Sequence, residues 1–371
     1  MRRVRQQILI MLLVLAGLAA GAVSCGLRGD RGSNRRSGAE ATGNPEDGNV
    51  TTGVVSPTET VSPGGEANLS GTPAVTPTPD VRQKSRTKPE GTIPVVKPGA
   101  ISRAADGELK VIWLGHSSSL VQIGSVNLLF DPVLSKKIGA LGVGPRRFSE
   151  VPVAAEDMPE IDILFLSHDH YDHLDYDSVL ALDSRVGCYV VPDGIDGILQ
   201  GWGIDASKIY AMQPWEAVTI AGVTLTFTPA QHSGGRMLGA ATLCVGVHVA
   251  DASHTLFYTG DSGYAKHFSE VYERLGAVDL LLAESGQYNE GWASVHMMPE
   301  QSVQVALDVH AAWMIPVHWG ALVLSTHDWD EPPRRDTELA AELGVRIATP
   351  RIGEIVDFRE IGNYTERWWE E

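Results

Sequence analysis

Apolar residues along this chain fall into short runs broken by glycine, proline and acidic residues. The runs at 109–114, 119–123 and 126–130 follow one another closely and predict a meander of three strands. Continuous apolar runs at 161–166 and 186–191 predict buried strands. Residues 218–220 and 223–228 pair as a hairpin across Ala221-Gly222. Further strands are predicted at 242–249, 255–259, 278–282 and 313–317. Helical spacing occurs over 174–182, 265–275 and 299–312, the last opening on Pro299 with Glu300 in its first turn. Strands come first in each half and helices follow. That order fits two sheets packed together and covered outside by helices.

The first 105 residues read differently. Arg2, Arg3 and Arg5 precede an almost wholly apolar stretch at 8–20, then small residues and Ala22-Val23-Ser24-Cys25-Gly26. This predicts an export signal over 1–24. The Ala-Val-Ser-Cys junction resembles a bacterial lipobox, with Cys25 as the lipid-bearing new N-terminus. Ala22 stands where leucine is usual, so an ordinary cleavage site and an uncleaved anchor are the alternatives. The apolar run falls short of the ~20 residues that a spanning helix needs. Residues 25–105 are rich in Ser, Thr, Gly, Pro and Asn, with no sustained period. Such chain buries too little apolar surface to offset its ordering entropy, so a disordered tether is expected. Residues 106–371 then form one domain. The expected location is the outer face of a bacterial membrane, in the periplasm or at the cell surface, held through Cys25.

Charge narrows the partners. The chain has 29 Lys and Arg against 46 Asp and Glu; residues 1–105 hold 13 and 8, leaving 16 and 38 and a net of −22 for the domain. An acidic surface of this size argues against nucleic acid and also repels anionic headgroups. A small-molecule or lipid substrate remains. Of three cysteines, Cys25 belongs to the export signal, whereas Cys188 and Cys244 sit in apolar strands; no C-x-x-C motif is present.

The densest chemistry is Ser167-His168-Asp169-His170-Tyr171-Asp172-His173, between the 161–166 strand and the 174–182 helix. In α/β folds the carboxyl end of a strand is where ligands usually bind. His168 and His170 are two residues apart, so extended backbone sends both to one face, where two imidazoles suit one borderline metal. A turn at Asp172-His173 would swing both side chains towards a second ion. Two ions ~3.5–4 Å apart form a hydrolytic clamp. Other strand ends offer His232 (in Thr-Pro-Ala-Gln-His), Asp261 (in Gly-Asp-Ser-Gly) and His318 (in Val-His-Trp-Gly). Together they complete two sites. His168, His170 and His232 would hold one metal; Asp172, His173 and His318 would hold the other; Asp261 would bridge.

This order of motifs resembles the metallo-β-lactamase superfamily. The resemblance implies an αββα sandwich and two zinc ions, with manganese or iron as substitutes. Electron-transfer diiron members carry Glu at the position of His170, so this histidine favours a hydrolase. Several segments look like the N-acyl-phosphatidylethanolamine phospholipase D branch. They include Trp113-Leu114-Gly115-His116, Phe130-Asp131-Pro132, Gly144-Pro145-Arg146-Arg147-Phe148, His170-Tyr171-Asp172-His173-Leu174-Asp175-Tyr176, Gly260-Asp261-Ser262-Gly263-Tyr264 and His318-Trp319-Gly320. Ascorbate-6-phosphate lactonases share part of this set. Two segments depart from the branch. Ala283-Glu284-Ser285-Gly286-Gln287-Tyr288 replaces Pro-Ile-Gly-Ala-Tyr, and Ser233-Gly234-Gly235 replaces a Trp-containing stretch. His296 is kept.

The resemblance implies a phosphodiesterase in which a water shared by two metals attacks phosphorus. Asp172 and His296 are the expected catalytic residues, with His296 either on the departing or non-bridging oxygen or capping the 299–312 helix. His116 and Asp131 would orient metal ligands or serve as structural hydrogen-bonding groups. Arg146 and Arg147 are candidates to meet a phosphate, or else belong to a surface loop. A lipid substrate predicts an apolar groove around Trp292, Met297 and Met298. A lactonase or ester hydrolase acting on a small polar metabolite, phosphorylated or not, predicts a narrow polar pocket. A non-catalytic surface lipoprotein is the third reading.

Overall fold

The computed structural model describes residues 86–139, 143–236 and 241–371. The predicted export signal, Cys25 and the tether up to residue 85 lie outside the described residues. The chain runs β1 (Leu109–Gly115), β2 (Ser118–Ile123), β3 (Val126–Phe130), β4 (Ile161–Phe165), α1 (Tyr176–Leu182), β5 (Val186–Pro192), α2 (Ile195–Gly201), β6 (Ile209–Met212) and β7 (Ala217–Ile220). It continues β8 (Val223–Pro229), β9 (Val245–Ala250), β10 (Thr255–Tyr258), α3 (His267–Leu275), β11 (Leu280–Glu284), α4 (Pro299–Asp308), β12 (Trp313–Val317), α5 (Glu331–Leu343) and β13 (Ile355–Asp357).

The strands form two sheets. One has seven, in the order β13-β1-β2-β3-β4-β5-β6; the other has six, in the order β12-β11-β10-β9-β8-β7. Pairs β3-β4, β4-β5, β5-β6, β10-β11 and β11-β12 are parallel. Parallel strands need coverage on both faces, which is why their sequences are mostly apolar. Between the sheets lie Trp113, Phe130, Phe165, Phe227, Val247 and Leu282. Alternate residues of the same strands face outwards. Leu164, Tyr189 and Val191 pack with Val179 and Leu182 of α1 and with Ile195 and Leu199 of α2. Phe257, Leu281 and Ala283 pack with Phe268 of α3, Val303 and Ala306 of α4, and Ala340 of α5. This is the expected αββα sandwich.

The tether was expected to reach residue 105, but residues 86–105 lie on the folded body. Val96 N donates to Ile352 O at 2.8 Å, Ile93 is 8% exposed, and the Arg86 guanidinium meets Asp330 at 3.0 Å. Their composition resembles linker, yet Ile93 and Val95 find a partner in the 352 loop, a contact without local signature. Several other bounds differ, two of them by three residues or more. The strand expected from 242 begins at Val245, and the helix expected to 312 ends at Asp308, because His310 takes a left-handed φ of 50°. Cys188 and Cys244 are both buried and unpaired.

Buried His248 on β9 sets a pH dependence. Burial pushes its pKa from 6.5 down to about 4, and its Nε2 has no partner among the described residues. Below the unfolded value the denatured chain takes the proton that the native chain refuses, so stability falls as pH drops from 6.5 to about 4. The loss at this position is on the order of 3 kcal/mol. Chemical denaturation at pH 7 and pH 4 should show it, and His248→Leu should show a smaller loss; equal losses in both proteins would remove His248 as the cause.

Candidate metal centre

One edge of the sandwich gathers the carboxyl ends of seven strands. His116 follows β1, Asp131 follows β3, His168 to His173 follow β4, His232 follows β8, Asp261 follows β10, Glu284 ends β11 and His318 follows β12. After β4 the backbone turns at once: His173 N and Leu174 N both donate to His170 O, at 3.1 and 2.8 Å. That turn brings Asp172 and His173 to one cluster, as the spacing required. Backbone across the sheets is stapled here as well. His116 N donates to Trp319 O and His318 N to His116 O, each at 2.9 Å. His116, Asp131 and His318 hold left-handed φ values of 55°, 39° and 71°. Side chains rarely adopt these angles unless surrounding structure imposes them. Gly286 leaves space for this loop: a Cβ there would lie 2.2 Å from His318 O.

Two groups of inward-facing atoms result. His168, His170 and His232 place ligating nitrogens within 4.8 Å of one another. His116, Asp172, His173 and His318 form a second group on the same criterion. Asp261 lies between them. Its Oδ2 is 3.1 Å from His173 Nε2, 3.4 Å from His318 Nε2, 3.8 Å from His168 Nε2 and 4.0 Å from His232 Nε2. Asp172 Oδ2 is 3.5 Å from His318 Nε2 and 3.6 Å from His173 Nε2. Two further groups meet the same criterion, His168 with His173 and Asp261, and Asp261 with Glu284, His296 and His318, so the clusters overlap around Asp261.

Three of the rings are held from behind. His173 Nδ1 meets Asp131 Oδ2 at 2.8 Å, His232 Nδ1 meets Val295 O at 2.9 Å, and His318 Nδ1 meets Gly286 O at 3.2 Å. Carbonyl and carboxylate oxygens only accept, so these nitrogens carry the proton and each Nε2 is left as a lone-pair donor facing inwards. Asp131 also accepts from Ser167 N (2.7 Å), Ser167 Oγ (2.6 Å) and Tyr258 Oη (2.6 Å). His116 Nε2 meets Asp172 Oδ2 at 2.9 Å. Asp131 and His116 thus contact candidate ligands.

Electrostatics within the cluster are strongly perturbed. Burial drives His168 well below its ordinary value, and His116 to about 3. Burial alone would also raise Asp172 and Asp261, but the His173 charge holds both well below the carboxylate range, with His318 assisting. In return, His173 rises well above 6.5 and His318 to about 10, because nearby carboxylates outweigh the burial that lowers them. The two carboxylates thus need positive charge beside them.

The donor set fits divalent cations. His168 Nε2 and Asp261 Oδ1 are buried without a hydrogen-bond partner among the described residues. Imidazole and carboxylate donors suit zinc, iron and manganese rather than calcium. A cation satisfies both orphaned atoms and replaces the protons that His173 and His318 otherwise supply.

Above the cluster is a cavity of about 240 Å³, lined by His170, Asp172, His232, Asp261, His296 and His318 together with Trp292, Val295 and Leu324. The expected groove is corrected here. Trp292 lines it, but Met297 is wholly buried against the α3–α5 layer and Met298 caps α4; neither lines the cavity. Nor do the arginines. The Arg147 guanidinium is buried, donating to the carbonyls of Val133 and Leu114, and Arg146 lines a separate cavity of about 690 Å³ beside α1. Glu284 is the site residue that sequence reasoning missed. It is 1% exposed and touches His296 and His318. Its signal was a carboxylate closing an apolar run, two residues beyond the predicted strand end.

Comparison with known proteins agrees with this geometry. A family model described as beta-lactamase superfamily domain matches residues 126–319. An uncharacterized protein of Mycobacterium tuberculosis is 35% identical over 283 residues, covering 75% of this chain and 76% of the relative. N-acyl-phosphatidylethanolamine-hydrolyzing phospholipase D 1 of Caenorhabditis elegans is 32% identical over 261 residues, covering 66% of this chain and 73% of the relative. Among solved structures, isothiocyanate hydrolase from Delia radicum gut bacteria shares the fold with a TM-score of 0.55 at 20% identity, covering 67% of this chain and 98% of that one. Matched domain, relatives and the clustered histidines and aspartates together make this chain a member of the beta-lactamase superfamily and a metal-dependent hydrolase.

Proposed function

We propose that the chain is a phosphodiesterase of the N-acyl-phosphatidylethanolamine phospholipase D type, with a dinuclear centre. The observation that carries the reading is Asp261, a single buried carboxylate within 4.0 Å of histidines from both clusters. In this reading His168, His170 and His232 hold one ion, Asp172, His173 and His318 the other, and Asp261 both. Two bound zinc ions, with manganese or iron as substitutes, would activate water and offset developing charge on the phosphoryl oxygens.

The chain's own residues do the rest. Asp131 fixes the His173 ring, and His116 fixes the Asp172 carboxylate. Trp292, Val295 and Leu324 give the cavity one apolar wall, which suits the stem of a lipid better than a wholly polar metabolite. His296 lines the cavity, and in this reading it meets a phosphoryl or leaving oxygen. No helix among the described residues is long and apolar enough to cross a membrane. Attachment to the outer face of a bacterial membrane is proposed through Cys25, from its lipobox-like setting.

The full chain, purified in detergent and loaded with zinc or manganese, should hydrolyse N-acyl-phosphatidylethanolamine, and His168→Ala should not. Turnover confined to a lactone and ester panel would overturn the phosphodiesterase and leave a hydrolase of small metabolites.

A further inference from the structure

Glu284 has no part in either metal cluster as assigned, yet it is a buried carboxylate at the centre of the site. It ends β11, and its backbone is fixed on both sides: its N–H donates to Thr259 Oγ1 at 2.9 Å, and its carbonyl accepts from Ser302 Oγ at 2.6 Å. One carboxylate oxygen, Oε2, accepts from Ser262 N at 2.7 Å. Held this way, the carboxylate is oriented through Oε2. The other oxygen, Oε1, accepts from His296 Nδ1 and lies 3.5 Å from His318 Nδ1. The His296 ring stacks on His318 with centroids 5.5 Å apart and planes 11° from parallel, and lines the cavity.

We propose that Glu284 is a positioning residue that fixes the His296 ring, so that Nε2–H faces the leaving oxygen of the substrate. The inference rests on the phosphodiesterase reading above. A carboxylate accepting from Nδ1 selects the ring's orientation and leaves Nε2 as the free nitrogen, the logic by which a fixed acid orients a working histidine. In the reaction, the oxygen of water forms a new bond to phosphorus. The bond from phosphorus to the leaving alcohol breaks with its electron pair, and that oxygen takes the Nε2 proton of the His296 imidazolium, whose Nδ1–H stays hydrogen-bonded to Glu284. The proton released by the attacking water returns to His296 through solvent, so the products are a phosphomonoester and an alcohol.

A leaving group that is stable as an anion needs no such proton, and this separates positioning from structure. The test compares the zinc-loaded full chain on bis(p-nitrophenyl) phosphate and on N-acyl-phosphatidylethanolamine in mixed micelles. Glu284→Ala should lower kcat on the lipid about 100-fold, the scale of one general acid, with KM and zinc content unchanged. On the nitrophenyl diester the loss should stay under about tenfold. Glu284→Gln, whose amide oxygen still accepts from Nδ1, should recover part of the lipid activity. His296→Ala should show the same substrate split, and the double variant should be no worse than either single one. Equal losses on both substrates, loss of zinc, or no loss at all would overturn the proposal. If the native chain hydrolyses no phosphodiester, the functional reading fails on its own, and the same comparison between p-nitrophenyl and ethyl esters decides the role of Glu284.

Discussion

Asp261→Ala should remove metal and activity together. On the proposed ligand arrangement, Asp261 is the one side chain shared by both ions, and its two oxygens do different work. Oδ2 lies within 4.0 Å of His168, His173, His232 and His318, and buried Oδ1 has no protein partner among the described residues. Truncation leaves imidazoles from both clusters around a hole, with no carboxylate shared between them to hold cations near one another. Turnover should fall by about 10³-fold or more, the scale of several kcal/mol of lost charge stabilisation. Metal content, read by elemental analysis after dialysis, should fall below two ions per chain. Asp261→Asn keeps the shape and removes the charge, so its loss of metal should be nearly as large. A variant that keeps both ions and a tenth of its activity would end the bridging role. Soaking the native chain with a chelator should reproduce the variant's inactivity, and added zinc should rescue the native chain alone.

Much of the site was legible because its ligands follow strands that declare themselves. β3 and β12 were read to the residue, and β4 to within one, since strands covered on both faces are mostly apolar and end where the apolar run ends. His168 to His173 came with β4, and His318 with β12. What escaped was non-local. β13 is three residues long and exists through pairing with β1, more than two hundred positions away in sequence. Helix α5 opens on Glu331-Pro332-Pro333-Arg334-Arg335 and buries few large side chains, so its apolar stripe is weak. Residues 86–105 have the composition of linker and are ordered by what they touch. Glu284 was lost to a strand end placed at Leu282; one further turn of the alternation would have put a buried carboxylate beside Asp261. Met297 shows the converse error, because an apolar residue next to a site histidine reads equally well as groove or core.

Asp131→Ala should be the most destabilising single change at this edge of the fold. Asp131 is fully buried and makes four hydrogen bonds: from Ser167 N, Ser167 Oγ and Tyr258 Oη, and with His173 Nδ1. These link β3, the loop after β4, and β10, so one carboxylate ties together both sheets. Without it, three or four buried donors lose their acceptor, each at about 1–3 kcal/mol, and part of that is recovered by relaxation or water. A net loss of about 3–5 kcal/mol is expected, the range found when one partner of a buried charged pair is removed. For a domain of this size, that lowers Tm by on the order of 10 °C. Asp131→Asn should lose less, since its amide oxygen still accepts from Ser167 N, but its NH₂ faces donors. Metal affinity should weaken by about 10–100-fold in either variant, because the His173 ring is no longer fixed. Saturating zinc should therefore raise the Tm of the variants less than that of the native chain at equal concentration. Calorimetry with and without zinc measures both effects. An unchanged Tm in Asp131→Ala would mean that Ser167 and Tyr258 find other partners, and an unchanged zinc affinity would mean that His173 is held by packing rather than by this carboxylate.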